Sequence, residues 1–102
     1  MSVNSMQVFE TQAPEVFKAF NGLLQSIIQS RGLDVKTKQL IYIAIKAALG
    51  DTTAVSFHIG MAKQAGATLP EISDAILMTL TTSGISGVAA CLPMAVAAFE
   101  TK

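Results

Sequence analysis

The segment GDTTAVSFHIGMAKQAG, residues Gly50–Gly66, holds His58, the only histidine of the chain, between two glycines. Glycine ends helices because it lacks Cβ and takes the left-handed conformation without strain. Asp51 follows Gly50 directly and is of a residue type that caps helix N-termini. The segment therefore predicts one helix that starts near Asp51, Thr52 or Thr53 and stops at Gly66. On a 3.6-residue helix Asp51, Ala54 and His58 lie within about sixty degrees of one another and share a face.

Before Gly50, Asp34 is the expected N-cap of a helix whose stretch LIYIAIKAAL is apolar almost all round. Such a helix belongs at the centre of a fold. Lys46 is the exception inside it. Gln39, Tyr42 and Lys46 fall on a narrow arc and form one polar stripe, read either as a solvated edge or as the wall of a polar pocket. Further upstream, Pro14 suits a first helical turn. Phe17, Phe20, Leu24, Ile27 and Ile28 recur at helical spacing until SRG ends the run at Gly32. Residues 1–12 show no clear period and are expected to form a loose N-terminal arm.

After Gly66, Thr68 and Glu71 make a capping box, with Pro70 tolerated in the first turn. That helix is expected to continue to Gly84. A last helix runs roughly from Ser86 to Glu100, with Pro93 expected to bend it. No stretch alternates with a period of two. The expectation is an all-α fold of about five or six helices in a single domain, residues 1–102.

The bulk composition narrows the function classes. Of the 102 residues, 51% are hydrophobic and 14% charged, so a chain this short carries more apolar surface than it can bury alone. Self-association is the expected sink. Seven basic and seven acidic residues are scattered singly, which argues against nucleic acid as a partner. No basic-plus-apolar leader opens the sequence, and one cysteine cannot make an internal disulfide, so a cytoplasmic setting is expected. Ala75–Phe99 lacks charge over a span long enough for a bilayer. TLTTSGISG and Pro93 interrupt it, so it reads as two helices and not as a membrane span.

KTKQLIYIAIKAALGDTTAVSFHIGMAKQAGATLPEISDAIL, residues Lys36–Leu77, resembles the carboxymuconolactone decarboxylase family, which includes the alkyl hydroperoxidase D proteins. The likeness runs from Leu33 to about Leu80. It rests on the LD-x-KTK-x-L entry, the apolar helix, the glycine, the histidine eight residues on, and A-x-x-AGAT-x-x-EI. It implies an alkyl hydroperoxidase D-like helical fold and assembly into homotrimers or homohexamers. The thiol-dependent branch has a Cys-x-x-Cys pair where this chain has Asp51 and Ala54, and a relay glutamate where it has Gln39. A disulfide-cycling peroxidase is therefore not expected. The decarboxylase branch lacks the cysteines and keeps the histidine.

The resulting expectation is acid–base chemistry at His58, acting as a general acid on a small carboxylated lactone or related acid, with no cofactor and no metal. Gln39, Tyr42, Lys46 and Asp51 are the candidate substrate-binding residues. The plainer readings stand beside these. His58 could be a core imidazole bonded to a backbone carbonyl, Asp51 only an N-cap, and Cys91 inert core. The rival functions are a non-catalytic oligomeric binding protein and a peroxide-consuming protein that would have to use Cys91.

Overall fold

The computed structural model describes residues 4–100, and the contacts divide the chain into two compact units, residues 1–32 and 33–102. The fold is all-α, with six α-helices and one short 3-10 turn among the described residues.

The first unit is a helical hairpin, α1 (Ser5–Gln12) and α2 (Pro14–Gln29). The arm expected to be loose is thus helical from Ser5, while residues 1–3 lie outside the described residues. Two features that periodicity does not register account for it. The Asn4 side chain accepts hydrogen bonds from the backbone N–H of Met6 and Gln7. The ring of Phe9 packs edge-on against Phe17 at 5.2 Å and tilted against Phe20 at 5.6 Å. Pro14 occupies the first turn of α2, as its fixed φ allows.

The second unit contains α3 (Val35–Leu49), α4 (Thr52–Gln64), α5 (Leu69–Leu77) and α6 (Ile85–Phe99). Its caps are the residues that the sequence offers. Asp34 accepts from the N–H of Thr37, Asp51 from that of Ala54, and Thr68 and Glu71 form a complete capping box. Gly50, Gly66 and Gly84 all have positive φ and separate the helices. α5 is shorter than expected and tightens into a 3-10 turn at Met78–Leu80. There the buried Thr79 hydroxyl donates to the Ile76 carbonyl at 2.7 Å. The Thr79 carbonyl in turn accepts from the N–H and hydroxyl of Ser83. These local bonds compete with the regular helical ladder.

α3 is central and packs against α4, α5 and α6. Ile43, Ala47, Val55, Ile59, Ile72, Ile76, Val88, Cys91 and Ala95 form the core between these helices. Each buried isoleucine contributes roughly 1.5–3 kcal/mol. The opposite side of α3 keeps Ile41, Ile45 and Leu49 exposed at successive turns, with Leu49 at 70%. No described helix is long and apolar enough to cross a membrane.

α3 and α6 meet almost backbone to backbone at Gly87, where an added Cβ would fall on the carbonyl oxygen of Ala47. Gly60, inside α4, has nothing within 4 Å of such a Cβ. Thermal unfolding followed by circular dichroism should therefore separate the two positions. Gly87→Ala is expected to destabilise by about 1–3 kcal/mol through overpacking. Gly60→Ala is expected to stabilise by about 0.4–1 kcal/mol through reduced chain entropy.

Candidate functional site

The turn at Gly50 sets the geometry of the candidate site. Gly50 adopts φ 77°, and the N–H of Asp51 returns to the Lys46 carbonyl at 2.9 Å. This closure of the α3 C-terminus lets α4 start at once and run back along α3. Side chains on successive turns of α3 then meet side chains on successive turns of α4. Lys46 meets Asp51 next to the turn, and Tyr42 and Gln39 meet His58 farther along.

His58 is half-buried, and its Nδ1 lies 2.7 Å from Oε1 of Gln39, which is only 7% exposed. Tyr42 stacks on the imidazole with the rings 4.8 Å apart and 4° from parallel. Phe57 meets the same ring edge-on at 5.7 Å. The ring is therefore fixed by a stacked face, an edge contact and a hydrogen bond. Nε2 has no hydrogen-bond partner among the described residues, yet no buried side-chain nitrogen or oxygen lacks one. It follows that Nε2 reaches the surface.

Asp51 has two tasks. Its Oδ1 accepts the N–H of Ala54 at 3.1 Å as the N-cap of α4, and its Oδ2 lies 3.5 Å from the Lys46 ammonium. Both side chains are partly exposed, so the pair is weak and its lysine can exchange partners. Burial holds the His58 pKa below its ordinary 6.5, and the positive charge of Lys46 lowers it further against an opposing pull from Asp51. The imidazole is accordingly neutral at neutral pH.

The structure brings Gln39, Tyr42, Lys46, Asp51 and His58 together along the α3–α4 seam. Two plainer readings are corrected. Gln39 is buried and not part of a solvated edge, because α4 covers it. His58 bonds a side-chain amide and not a backbone carbonyl, because helical carbonyls are engaged in the helix ladder. Sequence reasoning missed Phe57, which is 68% exposed and meets the imidazole edge-on; its place next to His58 is the one signal the sequence offers. Cys91 is buried in the core, and burial pushes its thiol pKa up, which suppresses thiolate chemistry. Among the described residues, no three His, Cys, Asp or Glu side chains gather as a metal site. A groove of about 380 Å³ between α3 and α5, floored by Leu40, Ile41, Ala44 and Met78, includes none of the five candidate residues.

Comparison with known proteins gives the following. Residues 14–98 match the carboxymuconolactone decarboxylase family. Two uncharacterised proteins of Methanocaldococcus jannaschii are similar. One is 30% identical over 81 residues, spanning 79% of this chain and 76% of the relative. The other is 32% identical over 81 residues, spanning 78% of each. A crystal structure from Burkholderia xenovorans LB400, provisionally named a carboxymuconolactone decarboxylase, superimposes with a TM-score of 0.87 at 20% identity. That match covers 97% of this chain and 80% of the other, and it shows a shared fold.

The neutral imidazole makes the fold pH-sensitive in a definite direction. The unfolded chain keeps a histidine pKa near 6.5, and the folded chain binds its proton less readily. This contribution to stability is complete above about 6.5 and is lost as pH falls through the folded pKa. A titration followed by NMR should place the His58 midpoint below 6.5. Lys46→Met should raise it and Asp51→Asn, which keeps the cap, should lower it. Urea midpoints should fall on acidification below about 6.5, less steeply in a His58→Asn variant.

Proposed function

The chain belongs to the carboxymuconolactone decarboxylase family, and from that premise we propose that it is a lyase-type acid–base enzyme acting at His58. Its substrate is a small carboxylated lactone or a related acid. The observation that carries this reading is the fixed imidazole. One ring nitrogen is held by Gln39, the other is accessible, and an ammonium stands nearby on the same seam.

The roles divide by chemistry. Lys46 attracts the substrate carboxylate, and its loose ion pair with Asp51 leaves it able to do so. Tyr42 and Phe57 offer aromatic surface to a flat, unsaturated ring. Loss of carbon dioxide leaves an electron pair that passes to the lactone carbonyl as an enolate, and His58 passes to the enolate carbon a proton taken up from water. Self-association is part of the same reading, as a homotrimer or homohexamer, and the exposed row Ile41, Ile45 and Leu49 supports it. The single, buried cysteine is compatible with the cytoplasm.

A second reading is a non-catalytic protein that binds a small acid on the same seam. The aromatic contacts that immobilise the imidazole favour it, since a binding site gains from rigid walls. Peroxide consumption by thiol cycling is disfavoured, because Asp51 and Ala54 stand where that branch has its cysteines and Cys91 is buried.

Carbon dioxide release from a panel of small unsaturated lactone acids tests the proposal. The wild-type chain should turn over at least one member. His58→Ala should reduce that rate by about 10²–10⁴-fold, the range for a positioned acid–base group, with unchanged helical content. Unchanged turnover in His58→Ala would overturn the catalytic role. Saturable binding without turnover would select the second reading.

A further inference from the structure

We propose that Gln39 is a positioning residue that holds His58 as the Nδ1–H tautomer, so that Nε2 is the working nitrogen and first takes a proton from the substrate. This rests on the reading of His58 as the proton-handling group. It reverses the expectation that the imidazole enters the reaction as a general acid.

A neutral imidazole carries one N–H donor and one acceptor nitrogen. The atom facing Nδ1 at 2.7 Å is the amide oxygen of Gln39, which only accepts. With the amide oxygen in that place, Nδ1 carries the hydrogen. The alternative tautomer would set two lone pairs against each other at that distance in a half-buried site, leaving both without a hydrogen bond. Tyr42 stacks on one face and Phe57 abuts the ring, so the plane of the imidazole is held. The remaining acceptor is Nε2, the nitrogen that reaches the surface.

The surroundings favour the same state. The charged groups acting on the imidazole are Lys46 at the end of α3 and Asp51 at the start of α4. They pair with each other at 3.5 Å and act on the imidazole in opposite directions. α6 contributes no ionised side chain between Ile85 and Phe99. On α5, Glu71 is engaged by Lys36 at 2.9 Å. An ionised carboxylate at residue 39 would stabilise the imidazolium, whereas the Gln39 amide has no charge with which to do so.

The chemical class of substrate follows. A base that starts with an open Nε2 requires a substrate with an acidic C–H next to a carbonyl, or an acidic O–H. That bond breaks, the proton passes to Nε2, and the electron pair stays on the substrate as an enolate or alkoxide. The imidazolium keeps its Nδ1–H on Gln39 and later returns the other proton to carbon. Where carbon dioxide also leaves, the one proton consumed overall comes from water.

Because His58 is the only histidine, a long-range proton–nitrogen NMR spectrum of the intact protein contains a single pair of ring nitrogens. Near neutral pH the wild type should show a protonated Nδ1 and an unprotonated Nε2. Gln39→Glu should keep Nδ1 protonated and raise the imidazole pKa. Gln39→Leu should lose the single-tautomer signature. A wild-type spectrum with the proton on Nε2 would overturn the proposal, and so would an unchanged tautomer in Gln39→Leu. The wild-type spectrum is decisive even if a variant fails to fold. Reversed tautomer with loss of turnover in His58→Ala would refute the positioning role alone. The expected tautomer with undiminished turnover in His58→Ala would refute the catalytic reading and leave the tautomer assignment standing.

Discussion

The reversal of the chain at Gly50 is the constraint on which the rest depends. A residue with Cβ resists φ 77°, and without that conformation α3 could not end where α4 begins. The reversal superimposes two sequence patterns that are separate in the chain. One is the polar stripe of Gln39, Tyr42 and Lys46. The other is the face shared by Asp51 and His58. Their meeting line is the seam, and the apolar sides of the same helices supply Ile43, Ala47, Val55 and Ile59 to the core. The fold and the candidate site are thus two sides of one hairpin, stiffened from behind by the close approach of α6 at Gly87.

What this seam can do depends on a difference of one functional group. An amide and a carboxylate at residue 39 would occupy the same space and reach the same nitrogen. The carboxylate would favour the imidazolium by its charge, whereas the amide carries no charge with which to do so. The seam carries a half-buried imidazole, a loosely paired cation and two aromatic surfaces.

Much of the fold was legible because its punctuation is local. Gly50, Gly66 and Gly84 end elements by backbone chemistry, and Asp34, Asp51 and Thr68 start them by side-chain hydrogen bonds within one turn. Helical periodicity and the absence of period-two alternation point to the all-α class, and the resemblance over Leu33–Leu80 narrows it to an alkyl hydroperoxidase D-like arrangement. Two elements were misread because their determinants are not periodic. α1 rests on the Asn4 cap and on ring contacts of Phe9, and α5 stops early through the hydroxyl of Thr79. Within the site, the stripe and the lone histidine were visible as residue types. That Gln39 is buried, that it bonds Nδ1, and that Tyr42 stacks on the imidazole all arise from the pairing of two helices. One helix read alone contains no such information.

The proposed chemistry requires His58 to work as a neutral base on an open nitrogen. The most direct measurement is the pH dependence of kcat/KM for the best substrate among the lactone acids. The rate is expected to rise with pH through an inflection below 6.5, matching the titration of His58, and then to hold level. A rate that falls through that same inflection would identify the imidazolium as the active form and contradict the account.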